Sequence, residues 1–251
     1  MKKNLIPLIV LLLLIPDFTT AQEAASDFAY NVYRVYPTIA RDKEEIKAAE
    51  SLLDLNQHYK SSWVKEYVSV EVLTKYRGKI RKAIGSGEKL TSEQKEHMNA
   101  ADIGSEISIR VRYMPDNTLS HNDVQELDFT ISVNPERDAK YEGGEEALQK
   151  YLKENAIDKI SADVFVGYKL AAVRFFVDEE GRIVDPHLFW TSEDENVDAL
   201  LLETICNMPN WVPASYENGL KIKQEFAWTV GNMESCVVNM LNIKAGNVPA
   251  Y

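Results

Sequence analysis

The sequence predicts an α+β protein of two small domains, the second a sandwich of helix, hairpin, helix and strand. Three observations predict it. Runs that alternate apolar and polar residues are interleaved with short stretches at helical spacing along the whole chain. A length of 251 residues, 45% hydrophobic and 27% charged, fits one large globular domain or two ordinary ones. The charge is also divided unequally: residues 22–137 hold 16 basic and 19 acidic side chains, whereas residues 138–251 hold 10 and 19. The expected division is a leader over 1–21, a first domain over 22–137, a second over 138–244 and a tail over 245–251.

The net charge of −11 excludes some partners. Nothing in so acidic a chain would displace counterions along a phosphate backbone, so nucleic acid is not an expected partner. The chain also lacks the polybasic stretch that anionic lipid surfaces attract.

Lys2 and Lys3 precede an apolar run from Leu5 to Pro16, followed by Thr19-Thr20-Ala21. A basic start, a short apolar run and a small-residue site read as a signal peptide cut after Ala21. Twelve helical residues reach about 18 Å, short of a hydrocarbon core of about 30 Å. Pro7 and Pro16 shorten the usable helix further. The expected product is exported to the periplasm, with no membrane span after cleavage. There Cys206 and Cys236 read as a structural disulfide, with two buried thiols as the alternative; no Cys-x-x-Cys spacing points to redox chemistry.

In the first domain, Asp42 to Tyr59 reads as a single helix, with Ile46, Ala49, Leu52, Leu53 and Leu55 on its apolar stripe. Tyr67 to Leu73 alternates as a half-buried strand, and Gly78 allows a turn into a second strand from Lys79 to Ile84. Arg77, Lys79, Arg81 and Lys82 there read as a solvated face rather than a ligand patch. Thr91 and Gln94 form a capping box opening a helix that should stop near Gly104. Strands follow over 107–111 and 127–133. The runs Gly87 to Gln94, Ala101 to Ile109 and Leu127 to Ile131 loosely resemble domains of Bacteroidetes envelope proteins of the gliding-motility GldM kind.

In the second domain, Glu145 to Asn155 reads as an amphipathic helix, preceded by Gly143 and Gly144. Leu170 to Val177 and Arg182 to Trp190 form a hairpin around Asp178-Glu179-Glu180-Gly181. Pro186 can donate no ladder hydrogen bond, so the returning strand should be an edge or carry a bulge. Val197 to Asn207 is the second helix. Met208 to Ala214 is an extended connector, and Leu220 to Val230 is the last strand.

The runs Tyr141 to Leu152 and Val173 to Ile183, with Trp190-Thr191-Ser192, Asp198, Met208-Pro209-Asn210-Trp211-Val212-Pro213-Ala214 and Asn218-Gly219, resemble the C-terminal domain family of TonB. That resemblance implies structural roles for Gly143, Gly144, Gly181, Met208, Pro209, Trp211, Pro213 and Gly219. It also implies binding of short extended segments of outer-membrane transporters by strand addition at a sheet edge. The strand carrying Lys221, Ile222, Lys223, Gln224, Glu225 and Phe226 is the expected binding edge, provided that it lies at the edge. The sequence departs from the family in having no Pro-rich spacer, in Ile157-Asp158 where a Tyr-Pro is usual, in Pro186 and in the tail after Asn232. The transducing role is therefore not expected.

No catalytic, metal or cofactor site is expected. His58, His97, His121 and His187 are scattered without metal-ligand spacing. His121 with Asp123 reads as a solvated loop, and Asp185 with His187 lacks a neighbouring nucleophile motif. Glu193-Asp194-Glu195 lacks the glycine of a calcium loop and reads as the entry to a helix. The expected function is a non-enzymatic protein-binding module of the cell envelope, accessory to outer-membrane transport. A structural part of an envelope assembly is the alternative.

Overall fold

The computed structural model describes residues 28–37, 39–117, 123–167, 169–209, 211–232, 241 and 243. The expected leader, Cys236, His121 and the tail over 245–251 lie outside these residues. The first half contains β1 (Ala29–Arg34), β2 (Ala40–Arg41), α1 (Lys43–Ala48), α2 (Leu52–Leu55), β3 (Val64–Tyr76), β4 (Lys79–Gly85), α3 (Ser92–Asn99), β5 (Ile107–Pro115) and β6 (Gln125–Val133). The second contains β7 (Lys140–Tyr141), α4 (Gly144–Asn155), β8 (Leu170–Val177), β9 (Ile183–Trp190), α5 (Glu195–Cys206), β10 (Trp211–Val212), β11 (Ala214–Ser215), β12 (Lys221–Ile222) and β13 (Gln224–Gly231). The architecture is α+β. No helix among the described residues is long and apolar enough to cross a membrane.

The first sheet runs β2-β6-β5-β3-β4, antiparallel except for the β2–β6 pair. Val70, Val72, Ile107, Ile109, Val111 and Ile131 turn to one face, where Ile46, Leu52, Leu55 and Met98 of the helices cover them. The other face carries charged side chains, among them Arg110 against Glu126 and Asp128.

The helix expected over 42–59 is broken into α1 and α2. Between them Glu50 and Leu52 pair with the segment after β4, through Leu90 N–H to Glu50 O at 2.9 Å and Leu52 N–H to Glu88 O at 3.0 Å. These bonds hold Ser51 extended, and its hydroxyl then caps α2 by accepting from Asp54 N–H. A backbone pairing between segments distant in sequence thus overrides a helical apolar stripe.

The second sheet runs β1-β13-β8-β9 and is antiparallel throughout. Its helix-covered face supplies Val173, Phe175, Val177, Phe226, Trp228 and Val230, packed against Leu148, Leu152, Leu201 and Ile205 of α4 and α5. On the opposite face Val35, Ala172, Ala227 and Leu241 form a smaller buried cluster. Pro186 lies on the edge strand β9, and the β8–β9 register slips between Arg174 and Phe176, so both expectations for that proline are met.

Residues 28–35 do not belong with the first sheet, where the division at 137 put them. β1 crosses to the second sheet and pairs with β13 from Ala29↔Gly231 to Arg34↔Phe226. Phe28, Tyr30 and Val32 pack on the helix-covered core, which is what draws the segment there. At the crossing, Arg34 donates to Asp138 at 2.6 Å and to Asn134 at 2.8 Å, and Asn134 donates to Asp42 at 2.8 Å. Asp138 also accepts from Gln224, whose side-chain oxygen accepts from Ala139 N–H. One polar chain therefore spans both units.

Arg34→Gln should loosen that joint. Asp138 is 44% exposed, so solvent screens the pair and the loss is about 1 kcal/mol, lowering Tm by about 2–4 °C. Differential scanning calorimetry should show the drop together with a broader or split transition.

Candidate functional site: the strand edge and its connector

The hairpin β8–β9 turns at Asp178–Gly181. Asp178 accepts from Glu180 N–H at 3.0 Å, Arg182 N–H at 2.8 Å and Arg182 Nε at 2.8 Å. Burial pushes its carboxyl up, but these bonds and the guanidinium charge outweigh burial and hold it below the usual range. Gly181 has φ +83°, and a Cβ there would stand 2.0 Å from the carbonyl oxygen of Trp211. That space is needed because Trp211 N–H donates to Gly181 O at 2.7 Å, stitching the connector to the turn.

Trp211 is buried and surrounded by rings. Phe226 lies 4.9 Å away, and Tyr141 and Phe175 each 5.9 Å away, between centroids. Its indole N–H donates to Met208 Sδ at 3.2 Å, so the polar tip of a buried aromatic finds its partner inside the motif. Pro209 is exposed after α5, and Pro213 lies beside the Gly181 turn. Gly143 caps α4 at φ +94°, Gly144 follows at φ +83°, and Gly219 at φ +84° closes a turn between Tyr216 and Leu220.

The edge expected at residues 221–226 is not open. Gln224, Glu225 and Phe226 pair with β8 on one side, while on the other Phe226 faces Arg34 and Glu225 O accepts from Val35 N–H at 2.9 Å. Lys221 and Ile222 pair with Ser215 and Ala214 of β11. β13 is interior because β1 fills the position that an external strand would take. What remains near these residues is a cleft of about 430 Å3 between the units, lined by Arg34, Glu106, Asn134, Phe176, Lys223 and Glu225 among others. Lys223 Nζ lies 3.9 Å from the Phe176 ring centroid, and Arg174 pairs with Glu225 at 3.5 Å.

Sequence reasoning missed residues 28–35 and Arg34 as parts of this site. The available signal was the aromatic and β-branched content of Phe28, Tyr30, Val32, Tyr33 and Val35.

Cys206 is exposed at the end of α5, which sets aside the pair of buried thiols; its expected partner Cys236 lies outside the described residues. His187 Nδ1 meets the carbonyl of Asp185 at 3.0 Å rather than its carboxylate. His97 is buried on the inner face of α3 at 4.0 Å from Glu93, and His58 is exposed. Asp194 accepts from Asn196 and Val197 N–H, so the acidic run does lead into α5 as its cap. No group of three or more His, Cys, Asp or Glu placed to hold a metal occurs among the described residues.

No family model matches this chain, and no curated protein and no solved structure is significantly similar to it.

Gly181→Ala should cost about 3 kcal/mol, from the positive φ and from displacing the Trp211 carbonyl. Gly219→Ala, with a similar φ but nothing within 4 Å of the new Cβ, should cost only about 1 kcal/mol. Urea midpoints of the two variants measure the difference. Equal losses would mean that the Gly181–Trp211 contact contributes nothing.

Proposed function

We propose that this chain is an exported periplasmic protein whose second unit is of the TonB C-terminal type and works as a protein-binding module, not an enzyme. The observation that carries the reading is the connector: Trp211 seated among Phe175, Phe226 and Tyr141, bonded to Met208 and tied to Gly181. It stands in the order α4, β8–β9, α5, β13, and Met208, Trp211 and Gly181, three of the residues that suggested the family, make the joint. The role in outer-membrane transport rests on the resemblance itself.

The proposed partner is an extended segment of an outer-membrane transporter, bound by strand addition. Since β1 occupies the free side of β13, that segment enters by replacing β1. Such an exchange remakes the backbone bonds that it breaks, so its main cost is re-exposing Phe28, Tyr30 and Val32. The second reading, a structural component of an envelope assembly, is favoured by the same pairing, because β1 and the Arg34 chain join the two units as one piece.

Locking β1 in place separates the two. Tyr33 and Ala227 are directly opposite in register, so Tyr33→Cys with Ala227→Cys places a disulfide across β1 and β13. Wild type and locked protein are compared as bait for envelope extracts, with cross-linking and mass spectrometry. Exchange predicts capture of outer-membrane transporters by wild type and its loss in the locked form. Equal capture by both contradicts exchange and favours the assembly reading.

A further inference from the structure

The edge of the first sheet opposite to β2 is β4, which pairs with β3 alone. Its turn is two residues long, Arg77 at φ 49° and Gly78 at φ 74°, so Tyr76 and Lys79 face each other as the first pair of the ladder. In such a hairpin every second residue bonds inward, which leaves the N–H and C=O of Ile80, Lys82 and Ile84 turned away from β3. No hydrogen bond to these outward groups occurs among the described residues. The register from Val70↔Gly85 to Tyr76↔Lys79 is unbroken, so no bulge twists the edge aside.

Edges are commonly blunted by placing charges on the outward residues. Here two of the three are isoleucines, Ile80 78% and Ile84 53% exposed. Around them Lys75, Arg77, Lys79, Arg81 and Lys82 place five cations in eight residues with no acid between, in a chain whose net charge is −11. Among the described residues only Lys82 of these has an ion pair, with Glu71 at 3.3 Å. The guanidinium groups of Arg77 and Arg81 each lie 5.1 Å from the Tyr76 ring centroid. The hairpin tip is held before any partner arrives: the Asp102 carboxylate accepts from Arg77 and Gly78 N–H at 2.7 and 2.8 Å, and Asp102 N–H donates to Lys75 O at 2.7 Å.

We propose that the open edge of β4 is a docking site for an acidic extended segment of another protein, which adds as a sixth strand. Apolar side chains of that segment cover Ile80 and Ile84 on one face, and its carboxylates face Lys79 and Arg81 on the other. A second copy of this chain is the wrong occupant at this edge, because pairing β4 with β4 would set the two cationic rows against each other. This proposal does not depend on the TonB-type reading of the second unit.

The test uses residues 22–251 and two fluorescent probes, an acidic peptide of alternating Glu and Val and its Lys–Val counterpart. Fluorescence anisotropy should show binding of the acidic probe alone, weakening as salt rises. Lys79→Glu with Arg81→Glu should weaken it about tenfold. Ile84→Pro, which removes one outward N–H and no ladder bond, should weaken it about threefold or more, and the charge variant covers the case that the proline variant does not fold. Hydrogen exchange should slow at residues 80, 82 and 84 on binding. Equal binding of both probes, binding unchanged in the folded variants, or protection elsewhere would overturn the proposal.

Discussion

The second sheet depends on a strand that comes from the far end of the chain. β13 has fully buried side chains on both faces, Trp228 toward the helices and Ala227 away from them, so its backbone is shut off from water and its N–H and C=O groups need a partner strand on each side. β8 is one, and β1 is the other. An unpaired buried backbone group costs roughly a lost hydrogen bond each time, so six opposed residues are a strong constraint on where residues 29–34 must lie. The rest of the joint follows from it. Once β1 ends at Arg34, the chain must cross to β2, and the guanidinium arrives where Asp138 and Asn134 can bind it. The two units share that strand and the polar chain around it, which is why the protein does not divide cleanly at residue 137.

The connector solves a second problem, that of returning from α5 to the last strand while sealing the end of the core. It does so by pressing backbone against backbone at Gly181 and a large ring into the gap between helices and sheet. Glycine is required there by space rather than by turn geometry alone. This is the part of the chain where sequence and packing agree most closely: the resemblance implies structural roles for Met208 and Trp211, and both are buried in that gap in contact with each other.

What was readable in the sequence was local. The Thr91–Gln94 capping box opens α3, Pro186 marks an edge with a slipped register, and the alternation over 107–111 gives a strand whose isoleucines are buried. What was not readable was decided at long range. The helix over 42–59 breaks because Glu50 and Leu52 bond to Glu88 and Leu90, and no helical spacing announces such a partner. The strand over 29–34 is rich in aromatic and β-branched residues, but that composition does not say which sheet will accept it. For the same reason, the sequence of residues 221–226 identifies a strand without counting its neighbours, and the edge expected there was already filled.

In the resting protein β13 is an interior strand, completed by β1. Native-state hydrogen exchange resolved at residues 226–231 tests it directly. Protection there should match that of 171–177 in β8 and be lost only in global unfolding of the second unit. Exchange of every second amide over 226–231 at the rate of an exposed edge would contradict it.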